Sequence, residues 1–212
     1  MANVKITAQK RILLAAREEF INTGLSGARM QRIADNAGVN KALLHYYFRS
    51  KDKLYEATLT QILSNILSSL DEQIKQAGDS TDLRSLIEIV VKTYINALSK
   101  DPGIPQLILR ELLDGGKTIP VILGGIMAHS GEIPRKITEL ARLEIRNGKV
   151  RRIDPIHVIM NIMGMSVITF LAKPFASAIS KHLGFELVYD EKFYKKRVDA
   201  IVTTACDGLF YK

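Results

Sequence analysis

Residues 34–51 constrain the fold of this chain most tightly, because they hold two short helical patterns separated by a single glycine. Apolar residues recur at helical spacing up to Gly38, which supplies the tight turn that ends the first pattern. A second short helix is expected over residues 40–47, with Asn40 at its start. The stretch therefore predicts two short helices joined by a glycine turn.

Helical periodicity continues along the rest of the chain, and no pattern favours a sheet. Thr7 is expected to cap a first helix that ends near residue 22, and Ser50 to cap a long helix that reaches Ala77. Further helices are expected near residues 82–99, 103–114, 118–146, 155–172 and 191–210, and Ile133-Pro134 is expected to break or kink the third of these. We therefore predict an all-α fold, with an N-terminal three-helix helix-turn-helix domain over residues 1–50 and a larger helical domain over residues 51–212.

The positive charge of the chain is concentrated at its N-terminal end. The net charge is +8, and the first 53 residues hold ten Lys and Arg against four Asp and Glu, which gives +6 there and leaves +2 for the other 159. A compact basic module suits a polyanion, whereas the near-neutral remainder suits an ordinary globular body. A merely basic, soluble surface is the alternative that charge alone leaves open.

Cysteine usage and hydropathy favour a cytoplasmic protein without a membrane partner. Cys206 is the only cysteine, so a disulfide within the chain is excluded and a reducing compartment is the simplest interpretation. The N-terminus lacks the apolar core of a signal peptide. His157 and Asn161 interrupt the most apolar run, residues 156–172, which is therefore expected to be a buried core helix.

The outer face of the helix over residues 40–47 carries polar and aromatic side chains. Asn40, Lys41, His45 and Tyr46 are expected to point outwards, and Arg49 follows the helix. Amide and ammonium groups can hydrogen-bond base edges, and aromatic hydroxyls can reach phosphate oxygens. Each residue alone is more often a solvated surface residue, but their order predicts a helix that lies in a DNA groove.

Residues on both sides of this helix add to the same chemistry. Lys51 stands at the start of the next helix, where backbone N–H groups already favour a phosphate. Gln31, on the preceding helix, suits a bidentate contact to adenine, and Arg29 and Arg32 add two charges near it.

Residues 7–55 resemble the N-terminal domain of TetR-family transcriptional regulators. The resemblance is carried by Ile33-Ala34, Ala37-Gly38-Val39, Lys41, Leu44-His45-Tyr46-Tyr47-Phe48, Ser50-Lys51 and Leu54. It implies contacts to base or sugar edges from Asn40, Lys41, Ala42 and His45, and contacts to phosphates from Tyr46, Tyr47 and Lys51. It also places Gln31 where the family often has a residue that reaches a base from the second helix.

Two positions depart from the family pattern. The family often has Thr at the start of the second helix, where this chain has Ala28-Arg29, so Arg29 is the candidate to replace that capping and phosphate contact. The position of His45 is commonly Tyr, so the base preference of the family does not transfer to this chain.

The C-terminal body lacks a catalytic signature and a metal-ligand spacing, so we expect no enzyme activity, no metal and no cofactor. Its Met and aromatic residues fill a core by default, and they also suit an adaptable apolar pocket. The resemblance implies that this body binds a ligand and mediates dimerisation. The candidate ligand-binding residues are Tyr94, Met127, His129, His157, Met160 and Phe170.

A homodimer is expected from the last two long helices. One stripe runs along residues 191–210 and its partner along residues 155–172, and two such pairs would form a four-helix interface. The alternative is that both stripes serve the core of the protomer. The candidate dimerisation residues are Met163, Val167, Val198, Ile201, Ala205 and Leu209.

Together these patterns predict a sequence-specific DNA-binding regulator of transcription, a repressor released by a small apolar ligand. Its expected partners are double-stranded DNA with a palindromic operator, a second copy of the chain and a small-molecule effector. Two alternatives stay open at this point. One is a DNA-binding division or nucleoid factor without an inducer, and the other is an enzyme whose basic head only positions it.

Overall fold

The computed structural model describes residues 7–78, 81–129, 132–152 and 154–210, which form eleven helices and no strand. The all-α prediction is confirmed. In chain order, the helices are α1 (Ala8–Gly27), α2 (Met30–Asn36), α3 (Lys41–Phe48), α4 (Lys51–Ala77), α5 (Leu83–Lys100), α6 (Gly103–Leu113), α7 (Thr118–His129), α8 (Glu132–Arg146), α9 (Pro155–Leu171), α10 (Lys173–His182) and α11 (Glu191–Leu209).

One expected break is found and one helix was missed. The stretch over residues 118–146, which was expected to break or kink at Ile133-Pro134, is two helices, α7 and α8, and Pro134 lies in the first turn of α8, where a missing N–H costs little. The helix α10 was not predicted. Pro174 lies in its first turn, so the proline begins a helix there and does not end one.

The chain forms two compact units. Unit 1 comprises residues 1–65 and 106–126, and unit 2 comprises residues 66–105 and 127–212. The helix α4 contributes its first part to unit 1 and its second part to unit 2. The division at residue 50 into a DNA-binding and a regulatory domain stays a prediction.

Unit 1 is built around α1. Phe20 is fully buried, and its ring meets the ring of Tyr55 edge to face at a centroid distance of 4.9 Å. The hydroxyl of Tyr55 donates a hydrogen bond of 3.0 Å to the buried carboxylate of Glu111 on α6. The other oxygen of Glu111 accepts from the backbone N–H of Thr118, at 2.6 Å. One buried carboxylate thus joins α4, α6 and the start of α7.

The kink of α1 at Gly24 depends on glycine. Gly24 has a φ of 69°, in the left-handed region, and a Cβ there would lie 3.3 Å from Nη1 of Arg110. Arg110 also donates from Nη2 to the carbonyl of Asn22, at 3.1 Å. The guanidinium therefore packs over the turn that the missing side chain leaves open.

Unit 2 is organised around α5, which contacts α8, α9 and α11. Val91, Ile95 and Leu98 on α5 and Ile201 on α11 are fully or almost fully buried. Buried Glu144 on α8 accepts from the N–H of Leu83, which is the first residue of α5, at 3.2 Å.

Along the described part of the chain, no single helix is both long and apolar enough to cross a membrane. The consecutive helices α9 and α10 reach that length and composition only as a pair, and the pair is bent by 62°.

Candidate nucleic-acid interface

The turn between α2 and α3 is fixed by backbone hydrogen bonds. Gly38 has a φ of 63°, and the N–H of Val39 donates back to the carbonyl of Ala34 at 3.0 Å. Arg11 of α1 donates from Nε to the carbonyl of Ala37 at 3.0 Å, which places a cation at the negative end of the α2 dipole. The glycine turn predicted from the sequence is confirmed, and α1 holds it in place.

The helix α3 buries one side and exposes the other. Asn40 caps it, since its side-chain oxygen accepts from the N–H of Leu43 at 2.7 Å. Leu44 and Phe48 are buried against the neighbouring helices. The residues that share the exposed side are Lys41, Ala42, His45, Tyr46 and Tyr47.

The end of α3 turns sharply into α4. Arg49 has a φ of 58°, a left-handed conformation that is unusual outside glycine, and its carbonyl lies 3.2 Å from Nδ1 of His45. Ser50 then caps α4, because its hydroxyl accepts from the N–H of Lys53 at 3.2 Å. The short turn leaves Tyr46 77% exposed on the outer side of α3, where its ring touches that of Tyr47.

Lys51 ties the start of α4 to the corner between α1 and α2. Its ammonium donates to the carbonyls of Ser26, at 3.0 Å, and Ala28, at 3.3 Å. An ammonium has three donors, so these bonds position Lys51 and leave one donor for a further oxygen.

On α2, the predicted contact residues are exposed and locally held. Arg29 occupies the N-cap position, and its side chain makes no cap hydrogen bond. Gln31 donates from Nε2 to Asp35 at 2.8 Å, which fixes the orientation of its amide group.

The structure gathers all nine predicted DNA-binding residues on α2, α3, their immediate flanks and the first residue of α4, within unit 1. Eight are exposed and Lys51 is partly buried. Arg32, named from the sequence as a second charge on this helix, is half exposed on α2 and lies 3.6 Å from the buried carboxylate of Glu19 on α1. Sequence reasoning left out Glu19, because nothing in the sequence separates this glutamate from a solvated charge on a helix.

Unit 2 holds an apolar cavity of about 110 Å³ between α5, α8, α9 and α11. Among the described residues that line it, all are aliphatic except Arg151, which is charged. The lining residues are Leu83, Leu86, Ile87, Val90, Ile137, Ala141, Ile145, Val150, Arg151, Val158, Ile159, Ile162 and Leu209.

The predicted ligand-binding residues lie elsewhere in unit 2. Tyr94 is largely buried on α5, and burial raises the pKa of its hydroxyl to about 12. Phe170 is buried, and its ring stacks on that of Tyr194 at 5.5 Å. His157 and Met160 are exposed on α9. The side chains of Met127 and His129 lie outside the described residues.

No group of three His, Cys, Asp or Glu side chains that could hold a metal ion occurs in the described ranges.

The predicted dimerisation residues divide into two groups. Val198, Ile201 and Leu209 are buried inside the protomer, because this side of α11 packs against α5 and α9. This burial favours the alternative that the stripe on α11 serves the protomer core, and the dimerisation residues stay a prediction. Met163 is exposed, and Val167 and Ala205 are partly buried.

An open groove runs between the outer sides of α9 and α11. Small residues line part of it, which permits the close approach of another helix. Its lining residues are His157, Val158, Met160, Asn161, Gly164, Met165, Thr204, Ala205, Gly208 and Leu209.

Comparison with known proteins agrees with this geometry. Residues 12–58 match the family model described as "Bacterial regulatory proteins, tetR family". The HTH-type transcriptional regulator RutR of Escherichia coli strain K12 is 30% identical over 205 residues, which covers 95% of this chain and 90% of RutR.

Solved structures share the fold over the whole chain. A TetR family transcription regulator from Marinobacter aquaeolei has a TM-score of 0.74 at 14% identity, covering 97% of this chain and 96% of that protein. The ketosteroid transcriptional regulator KstR2 of Mycobacterium tuberculosis has a TM-score of 0.67 at 13% identity, covering 100% and 98%.

Regulators of this family bind DNA and small-molecule effectors and act as dimers. The match to RutR extends through both units, and the family model covers α2 and α3. The chain belongs to the tetR family of bacterial regulatory proteins and is an HTH-type, DNA-binding transcriptional regulator.

Proposed function

We propose that the exposed side of α3 reads base edges in the major groove of an operator. The observation that carries this proposal is the separation of the two sides of α3, with Leu44 and Phe48 inward and the polar side chains outward. Lys41 and His45 lie one helical turn apart on the outer side, so both can reach the same groove. Ala42 offers a methyl group that suits contact with a thymine methyl.

The phosphate contacts come from the flanks of α3. Tyr46 and Tyr47 present hydroxyls at its end, and Lys51 keeps one donor beyond the two carbonyls it binds. Arg29 and Gln31 reach the backbone or a base from α2. Replacing Lys51 with alanine should weaken binding to every duplex and reduce the salt slope by about one unit. The matched control is Lys92→Ala, which removes an exposed lysine from α5 in unit 2 and should leave the slope unchanged.

The regulator binds its operator as a homodimer. Exposed Met160 and Met163 on α9, next to small Gly164, Ala205 and Gly208 at the groove, support an interface through the outer sides of α9 and α11. A two-fold dimer presents two copies of α3, so the operator is palindromic with half-sites about one turn, or a multiple, apart.

A compact apolar molecule in the unit 2 cavity is the effector that releases the repressor. Apolar cavities of about 150 Å³ in protein cores stay dry and bind benzene, so a cavity of 110 Å³ suits a small hydrocarbon or ring. The effector shifts the equilibrium only by its differential affinity for the DNA-bound and free forms, typically about 1–3 kcal/mol. Calorimetry with and without operator tests this, because linkage requires the same factor in both directions.

The protein acts in the cytoplasm and has no catalytic activity of its own. Its relatives are named as transcriptional regulators, which supports a binding function.

Selection of fragments from genomic DNA by the purified protein tests the proposed operator. We expect a few discrete fragments that share an inverted repeat. Uniform recovery of the genome would contradict sequence-specific regulation and favour a general DNA-binding factor.

A further inference from the structure

The helix α2 begins without a side-chain cap of its own. Arg29 occupies the N-cap position in an extended conformation and makes no side-chain cap hydrogen bond, because a guanidinium has donors and no acceptor for the helix N–H groups. The first turn of α2 also lacks an acidic residue. Short polar side chains are strongly preferred at this position, so the start of α2 needs another partner.

Glu19 of α1 supplies that partner. Its side chain is only 4% exposed. One carboxylate oxygen accepts from the backbone N–H of Arg29 at 3.2 Å, and the other lies 3.6 Å from Nη1 of Arg32. A carboxylate removed from water is costly unless it is paired, so the contacts with α2 explain why a charge is tolerated at this place.

The same contacts restrict both arginines of α2. The backbone of Arg29 is held at its N–H, and Arg32 keeps one end of its guanidinium at Glu19 while 52% of its side chain is exposed. A guanidinium carries five N–H donors, so Arg32 can hold Glu19 with one nitrogen and contact a phosphate with others.

We propose that Glu19 is a positioning residue for DNA binding, which fixes the start of α2 and holds Arg32 as a phosphate contact. This inference rests on the proposed function, because it presumes that α2 and α3 face a duplex. Glu19 binds one backbone donor at the start of α2 from the neighbouring helix, the N–H of the N-cap residue Arg29, and does not touch DNA itself.

If Glu19 acts only through its charge, its removal should strengthen DNA binding, and if it positions Arg32, its removal should weaken DNA binding. The proposal is testable because these two effects are opposite. Removing any carboxylate near a duplex reduces repulsion and should strengthen binding through the net charge alone. Removing the carboxylate that positions Arg32 should weaken binding, because the arginine is no longer held toward the phosphate. Glu18 is an exposed neighbour of Glu19 on α1 and supplies a control with the same change of charge.

The experiment measures the affinity of a fluorescent duplex over a series of salt concentrations. The duplex is the sequence that the wild-type protein enriches from a randomised library. Glu19→Gln should weaken binding roughly tenfold and lower the salt slope by about one unit, as expected for one lost phosphate contact. Glu18→Gln should bind as tightly as the wild-type protein or tighter, with an unchanged slope.

A double-mutant cycle separates positioning from loss of folded protein. Arg32→Ala should by itself lower the slope by about one unit, and adding Glu19→Gln to it should change the slope no further. A partly unfolded variant would reduce the active fraction without changing the slope, so the slope distinguishes the two causes.

Two results would overturn the inference. One is a Glu19→Gln variant that binds DNA as tightly as Glu18→Gln does. The other is an Arg32→Ala variant with unchanged affinity and slope. Failure of the wild-type protein to enrich any duplex would instead contradict the proposed function.

Discussion

Ala141 on α8 lines the unit 2 cavity, and its replacement by leucine should fill part of that space. The control is Ala178→Leu, which makes the same change at an exposed position of α10. If the cavity is the effector site, the filled variant should hold its operator and ignore the effector. If the cavity does not bind the effector, the variant should respond as the wild-type protein does.

The magnitude follows from the apolar surface that the longer side chain can bury. The cavity of about 110 Å³ is partly open and has room for part of a leucine side chain. Burying the added methylene groups contributes about 2 kcal/mol, and tight packing takes back about 1 kcal/mol. We therefore expect Ala141→Leu to raise the free energy of unfolding by about 1 kcal/mol, and Ala178→Leu to change it by less than about 0.5 kcal/mol.

The assay uses benzene as the probe, because apolar cavities of comparable size bind it. Saturating benzene should raise the thermal midpoint of the wild-type protein and of Ala178→Leu, and should not raise that of Ala141→Leu. Two results would refute this reasoning: an Ala141→Leu variant that is destabilised by more than about 1 kcal/mol, which indicates overpacking, or a benzene response that survives the substitution.

Four further predictions concern stability, DNA binding and assembly. Tyr55→Phe removes a donor to the buried carboxylate of Glu111 and should lower the free energy of unfolding in urea by about 1.5–3 kcal/mol. Burial raises the pKa of Tyr94 from 10.0 to about 12, so its contribution to stability is present below pH 10 and is lost as the pH rises to 12. Between pH 10 and pH 12, ionisation of Tyr94 should lower the unfolding free energy of the wild-type protein by about 1.4 kcal/mol per pH unit. Tyr94→Phe should not show this loss. Asn40→Ala removes the cap of α3, should cost about 1 kcal/mol and should weaken operator binding in an anisotropy titration. Met163→Glu places a charge on the exposed side of α9 and should give monomers in sedimentation.

Each of these predictions has a clear contrary outcome. An unchanged unfolding free energy for Tyr55→Phe would mean that Glu111 keeps enough partners without the hydroxyl. Parallel pH profiles for Tyr94→Phe and the wild-type protein would place the alkaline loss at other groups. Unaltered operator affinity for Asn40→Ala would separate the cap from DNA binding, and an intact dimer for Met163→Glu would place the interface elsewhere.

Local sequence signals predicted the local features of the fold well. The caps at Thr7, Asn40 and Ser50 are confirmed, because a cap depends on residues only three positions apart. The turn at Gly38 is confirmed for the same reason. The outer side of α3 was predictable except at Tyr47, which the apolar pattern assigns to the inner side and which is 41% exposed.

Features that depend on packing between distant segments were not predictable. The apolar stripe with Ile201 indicates a buried side of α11, but its period does not tell whether the covering helix belongs to the same protomer. The unit 2 cavity lies where four helices fail to fill the space between them, and no residue type marks such a place. Glu18 and Glu19 are adjacent residues of the same type, so the sequence does not distinguish them. Only Glu19 is buried and lies against α2.

The central claim is that the outer side of α3 reads specific base pairs, and the preference profile of Lys41→Ala tests it most directly. The affinity of the wild-type protein, of Lys41→Ala and of Lys92→Ala is measured for the selected operator and for each single base-pair replacement in it. We expect the wild-type protein to lose about 1–3 kcal/mol at each base pair that it reads, and Lys41→Ala to lose that penalty at one or two positions only. Lys92→Ala should reproduce the wild-type profile. A Lys41→Ala variant whose penalties match those of the wild-type protein at every position would contradict the claim.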